Sequence, residues 1–354
     1  MDAAPPPVED AVLEDLRRRL RSTRRVHGVA GDWERGTDAT YLTQLVEYWA
    51  DRYDWRAAEA RIRALPWVEH GGMRAIHQRA AEVDAPVVVL LHGWPDSILR
   101  FERVLPLLTD VHVVVPTLSG YPYSGQPASS REAMAHPVAE LLEQLGYERY
   151  IVAGGDIGTG VAESLARLHP ERVAALHLTD LPFRQLALVP EEQWSDAERT
   201  YSAEVAEWQQ RDGAYLAEQA TRPNTLSPAL GDSPAGLAAW LVEKLRGWSD
   251  CGGDVESVFP RDDLLTWITL YWVTGTIGTS FGPYAQREPP APGRVEVPTV
   301  VHQFPAELLH PPREFAERVF DVREWEVASA GGHFAAWEQP EEYVRGLRKA
   351  IALA

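Results

Sequence analysis

Gly154, Gly155, Asp156, Ile157 and Gly158 set one carboxylate among glycines, directly after the β-branched run at 150–153 and directly before a helix-like stretch. A sharp strand-to-helix turn needs small neighbours because its backbone is strained and closely packed, and it lifts its central side chain above the sheet edge. A carboxylate held there can attack an electrophilic carbon. The same residues also fit a plain βα turn whose aspartate caps the next helix, so context must decide. His92, Gly93, Trp94, Pro95, Asp96 and Ser97 follow the first apolar run, where such a site needs a loop that donates a backbone N–H. The N–H groups of Trp94 and Ile157 would then point into one cavity as an oxyanion hole, although glycine and proline would also make a simple turn there. Further on, the strand-like stretch 297–304 leads to Pro305, Ala306 and Glu307, and Gly331, Gly332 and His333 follow another apolar segment. The order nucleophile, acid, histidine suits residues that crown successive strands at the carboxyl edge of one sheet. Asp180, at the end of the candidate strand 174–179, is the competing acid.

The elements that must position these residues are legible as alternation. Short apolar runs at 87–91, 111–115, 150–153 and 174–179 read as buried strands, and the helix-like stretches 131–145 and 161–168 lie between them. This is the pattern of an α/β protein with a mostly parallel, doubly wound sheet. About a hundred helix-like residues then intervene before strand texture resumes at Val297. The stretch from Glu288 to Gly293, rich in proline, marks the return. The expected organisation is an N-terminal wrapping segment (1–80), a first sheet part (81–185), a helical cap (186–290) and a second sheet part (291–354). In the wrapping segment two amphipathic helices are expected, at 8–25 and 40–53, and Trp33, Trp55 and Trp67 imply packing on something downstream.

Composition removes several classes of function. With 34 basic and 52 acidic side chains the net charge is −18, so attraction to nucleic acid or anionic lipid is not expected. The single cysteine, Cys251, beside Gly252 and Gly253 in an expected loop, permits neither an intrachain disulfide nor a thiolate metal cluster. No basic residue followed by an apolar stretch stands at the N-terminus, and the stretch 264–278 is too short and too rich in threonine to span a bilayer, so it reads as a buried helix. A cytoplasmic protein is expected, without cofactor or metal. The acidic surface is compatible with a homodimer.

Taken together, these motifs resemble the microsomal-type epoxide hydrolases of the α/β-hydrolase fold. The resemblance rests on Gly36–Thr37–Asp38, Asp54–Trp55–Arg56, the 92–95 loop, the 154–158 elbow and the 271–276 stretch. It extends to the 304–310 stretch and to 331–336. It implies Asp156 as nucleophile, His333 as base and Glu307 as its orienting acid. It also implies Tyr215 and Tyr284 as the phenols that hold the epoxide oxygen; without the family, either would read as a packing residue. Two departures stand out: Ile157 replaces the usual tryptophan after the nucleophile, and the N-terminal anchor of membrane-bound relatives is not expected here.

An epoxide releases an alkoxide when it opens, so a phenol protonated at neutral pH is a fitting acid, and the aspartyl ester that forms must then be hydrolysed by activated water. The expected partners are therefore a small epoxide and water. Trp240, Trp248, Trp267 and Trp272 are candidate pocket residues for a bulky aliphatic or aryl epoxide, although such side chains also make core. Relatives of this type act in detoxification or tailor natural products, including enediyne antibiotics. Two other readings compete. A haloalkane dehalogenase would need side-chain N–H donors for halide; Trp94 offers one and Ile157 none. A catalytically silent hydrolase fold would bind a ligand without turnover.

Overall fold

The computed structural model describes residues 3–26, 28 and 32–354. The expectation built on Met1 and Asp2, and the parts of the wrapping segment at 27 and 29–31, lie outside the described residues. One eight-stranded sheet organises the chain, formed by β1 (Trp67–His70), β2 (Met73–Gln78), β3 (Val87–Leu91), β4 (His112–Pro116), β5 (Tyr150–Gly154), β6 (Val173–Leu178), β7 (Val295–Gln303) and β8 (Phe320–Val327). Their spatial order is β1-β2-β4-β3-β5-β6-β7-β8. The pairs from β4 through β8 are parallel, and β1 and β2 join antiparallel at one edge. Every residue of β3, β4, β5 and β6 is buried, which is why these strands read as unbroken apolar runs.

The wrapping segment is more than a wrap. Its β1–β2 hairpin enters the sheet, and its helices Asp10–Arg21 and Ala39–Asp51 lie against the cap. Leu13, Leu16, Leu45 and Trp49 form the buried stripes of those two helices. Polar ties hold them there: Thr37 Oγ1 donates to the Ala239 carbonyl at 2.6 Å, Tyr41 Oη donates to Glu256 at 3.0 Å, and Arg19 pairs with Asp232 at 2.7 Å.

The cap runs through helices Asp196–Arg211, Ala214–Thr221, Pro223–Asp232, Pro234–Gly247, Arg261–Thr274 and Gly282–Ala285. Ser195 opens it with a reciprocal cap, accepting from the Glu198 N–H while Glu198 accepts from the Ser195 N–H. Of the stretch 264–278 expected as a buried helix, 264–274 belongs to the helix Arg261–Thr274, which stops at Gly275, whose φ of 63° is a left-handed conformation that suits glycine. Cys251 is buried in a loop, its thiol against the Arg246 carbonyl. Among the described residues, no helix is long and apolar enough to cross a membrane.

Candidate active site

Asp156 sits between β5 and the helix Ile157–Leu168, with φ 57° and ψ −123°. A non-glycine residue in that region stores strain that only a tightly determined turn sustains. Its glycines show how tight the turn is. A Cβ on Gly158 would fall 2.2 Å from the Leu91 carbonyl oxygen, and one on Gly93 would fall 2.5 Å from Asp156 Cβ. Asp156 does not cap its helix; the side chain turns toward the 92–97 loop instead. There the Trp94 N–H donates to Asp156 Oδ1 at 2.8 Å, and the Ile157 N–H also faces the carboxylate. Burial pushes this carboxyl up, opposed by the His333 charge and the two N–H groups.

His333 and Glu307 arrive from the loops after β8 and β7. His333 Nδ1 lies 2.8 Å from Glu307 Oε1, and its Nε2 faces Asp156 Oδ2 at 3.8 Å, an ion-pair separation too long for a hydrogen bond. Among the described residues, Nε2 has no hydrogen-bond partner. Burial alone would favour neutral imidazole, yet Glu307 and then Asp156 outweigh it and push His333 up to about 9. Glu307 also accepts from the Leu308 N–H at 2.8 Å, and despite its burial the His333 charge holds it below the usual carboxylate range.

Asp180 is in the same cavity but does not touch His333. It accepts the Asp156 N–H at 2.8 Å and the Thr159 hydroxyl, so it braces the turn from beneath. Tyr215, on helix Ala214–Thr221, and Tyr284, on helix Gly282–Ala285, descend from the cap as a pair whose rings are 6.1 Å apart and nearly perpendicular. Tyr215 stacks on the Trp94 ring at 5.4 Å, and the buried Tyr284 hydroxyl has no hydrogen-bond partner among the described residues. Burial, reinforced by the nearby Asp156 charge, keeps both phenols protonated well above neutral pH.

Asp156, Asp180, Tyr215, Tyr284, Glu307 and His333 line one cavity of about 460 Å³. None of Trp240, Trp248, Trp267 and Trp272 lines it; the indole that does is Trp208, with Phe183 and Leu181 nearby. The reason is packing: Trp267 meets Phe259, Phe334 and Trp337 edge to face, while Trp248 lies edge-on to His333 at 5.2 Å and its carbonyl accepts the His333 N–H. The Trp94 indole is no halide donor either, because its Nε1–H is directed to Ser280 Oγ at 3.2 Å.

Two supporting residues escaped the sequence reading. Arg100, fully buried, pairs with Asp96 and donates to the His333 carbonyl, while Asp96 accepts the Gly93 N–H at 2.7 Å. One ion pair thereby ties the loop carrying Trp94 to the loop carrying His333. The four-residue spacing of Asp96 and Arg100 was the available signal.

Comparison with known proteins agrees with this geometry. Residues 3–101 match the family described as epoxide hydrolase N terminus, and residues 86–225 match the alpha/beta hydrolase fold. A Stigmatella aurantiaca protein named "Putative epoxide hydrolase" is 36% identical, the match covering 97% of this chain and 82% of that protein. Epoxide hydrolase 1 of Sus scrofa is 29% identical over 97% of this chain and 87% of its own length. An enantioselective mutant of the Aspergillus niger epoxide hydrolase superposes with a TM-score of 0.88 at 28% identity, covering 98% of this chain and 95% of that one. The elbow, the paired phenols and these likenesses lead to one assignment: the chain belongs to the epoxide hydrolase family of the α/β-hydrolase fold.

Proposed function

We propose that this chain opens epoxides to vicinal diols through a covalent ester on Asp156. The observation that carries the reading is the enclosure of one strained carboxylate by two backbone donors, one imidazole and two protonated phenols in a single cavity. Asp156 Oδ2 bonds to an epoxide carbon while that carbon's bond to the ring oxygen breaks. The oxygen takes a proton from Tyr215 or Tyr284, and the imidazolium of His333 restores the phenol through the cavity.

This leaves a neutral ester and a neutral imidazole. With the Asp156 charge gone, one of the two influences that raise His333 is removed, so His333 becomes a better base for the second step. It takes a proton from water, and the hydroxide adds to the carboxyl carbon of Asp156. The oxyanion forms where the Trp94 and Ile157 N–H groups already hold the carboxylate, a contribution of about 3 kcal/mol per donor. Collapse passes a proton from the added hydroxyl to the departing alkoxide, returning carboxylate, imidazolium and diol. Trp208, Phe183 and Leu181 give the cavity the apolar wall that a bulky aliphatic or aryl epoxide requires.

Intact mass spectrometry of His333→Gln protein mixed with styrene oxide tests this. The expected result is a stable adduct of the substrate's mass on Asp156. An unmodified protein across a panel of aryl and alkyl epoxides, together with wild-type protein that forms no diol, would overturn the proposal. Halide release from haloalkanes would put a dehalogenase in its place.

A further inference from the structure

The cavity does not end at the phenols. From Asp156 it follows one face of the helix Ile157–Leu168, past Thr159, Gly160, Glu163, Ser164 and Arg167. Residues three and four apart share a helix face, so this is one continuous groove. Arg167 lies eleven positions after Asp156, which makes the groove about 16 Å long.

The same cavity is lined by Arg131, Arg184 and Arg287. In a chain with 52 acidic side chains and a net charge of −18, none of the three has a carboxylate within ion-pair distance among the described residues. Arg184 spends one hydrogen bond on the Glu288 carbonyl at 3.2 Å. Burial, then the charges of Arg287 and Arg131, press Arg184 below the usual guanidinium range, so Arg184 lies within electrostatic reach of both. The stem of Arg131 crosses Gly160, where a Cβ would fall 2.4 Å from its Cδ, and its Nε is buried without a hydrogen-bond partner. The charge on Arg131 is felt at Asp156, Tyr215 and Tyr284.

Glu132, Glu163 and Glu288 of the same cavity are engaged elsewhere. Glu163 holds Arg167 at 2.9 Å and accepts from Gln185 at 2.7 Å. Glu132 and Glu288 hydrogen-bond to each other, and Glu288 also accepts from Ser130 at 2.8 Å. What remains is a half-enclosed cluster of three guanidinium groups in the same groove as the nucleophile, Arg131 reaching it beside Gly160. A neutral apolar substrate would gain nothing from it.

We infer that the preferred substrate is an amphipathic epoxide: an oxirane on an apolar body, with an anionic oxygen group, such as a carboxylate, that reaches Arg131, Arg184 and Arg287. This rests on the epoxide-opening reading above and adds the substrate class. Guanidinium groups bind carboxylates through paired, charge-assisted hydrogen bonds, which fix the orientation of the chain and thereby the distance of the oxirane from Asp156.

The test compares ω-epoxyundecanoate with its methyl ester, two molecules that differ in charge at one end. At low salt the wild-type kcat/KM for the acid should exceed that for the ester by about tenfold, equivalent to about 1.4 kcal/mol, and about 0.5 M sodium chloride should shrink that ratio. Replacing the three arginines together (Arg131→Gln, Arg184→Gln, Arg287→Gln) should bring the ratio close to one. The single variant Arg287→Gln, at an exposed position, should lower it part of the way and guards against misfolding of the triple variant. An acid turned over no faster than its ester, or a preference that survives in both variants, overturns the inference while leaving epoxide hydrolysis intact. Turnover of neither molecule, nor of styrene oxide, overturns both.

Discussion

The tips of β6 and β7 each place a carboxyl group in the same cavity, and the two behave in opposite ways. Glu307, after β7, accepts from a charged imidazole and a backbone N–H and is held below the usual carboxylate range. Asp180, after β6, accepts from a neutral N–H and a hydroxyl; burial, then the charges of Glu307 and Asp156, push it up to about 7. Both were candidates for the acid that orients the histidine, because a residue's place at a strand end does not say which partner it will find. The partners separate them: a carboxylate facing a cation is stabilised as an anion, whereas one facing other carboxylates is not.

Neutralising Glu307 should therefore do most damage. In Glu307→Gln the amide can still reach Nδ1, but the charge that holds the imidazolium is gone and the favoured tautomer is no longer secured. Loss of an equivalent acid in a Ser-His-Asp site costs about 10⁴ in kcat, and a fall of about 10³ or more is expected here. Rapid-quench analysis should find the ester accumulating, since hydrolysis needs the base more than alkylation does. Equal slowing of both steps would mean that Glu307 supports the fold of the site rather than the base.

A smaller effect distinguishes the two carboxylates through the histidine itself. His333 stands at about 9 in the folded protein, against about 6.5 for an unperturbed imidazole. Its contribution to stability is thus fully present below about 6.5 and is lost as the pH rises through about 9. In Glu307→Gln the His333 titration, followed by imidazole NMR, should fall back toward the ordinary range; in Asp180→Asn it should move little. Equal displacement in both variants would show that the cavity's overall charge governs the imidazole, and not the pairing of Glu307 with Nδ1.

How far the sequence disclosed this site depended on how each part is buried. β3 to β6 are covered on both faces and announce themselves as apolar runs. The segment before His333, expected to be apolar, is β8, where Asp321, Arg323, Glu324 and Glu326 interrupt the pattern because it is an edge strand, and the β1–β2 hairpin was hidden for a related reason, with short β1 at the other edge. Asp156, Glu307 and His333 were visible because glycine, proline and chain order surround them with local signals. Tyr215 and Tyr284 carry no local signal, since a phenol on a helix looks the same in core and in cavity, and only resemblance pointed to them. The choice of Trp208 over four other tryptophans was equally out of reach, being decided by which side of the cap meets the groove. Arg131, Arg184 and Arg287 are far apart in sequence, and their lack of acid partners is a fact of three dimensions alone.

The smallest effect belongs to Asp180. In Asp180→Asn the amide oxygen can still accept the Asp156 N–H and the Thr159 hydroxyl, so the elbow keeps its brace and kcat should change by less than about tenfold. Stability should move the other way. Asp180 titrates at about 7 in the folded chain and at about 3.9 when unfolded. Between those values the folded state therefore holds a proton that the unfolded state has released. Stability due to this group falls as the pH rises through that window and levels off above it. The asparagine variant escapes this fall, so its advantage in urea unfolding should grow from pH ~4 to pH ~7 and then stay constant. Because Asp180 borders a cavity open to solvent, screening reduces the gain to roughly 1–2 kcal/mol. A variant less stable than wild type at pH ~8 would mean that the anion strengthens the two hydrogen bonds by more than its neighbours' charges oppose it.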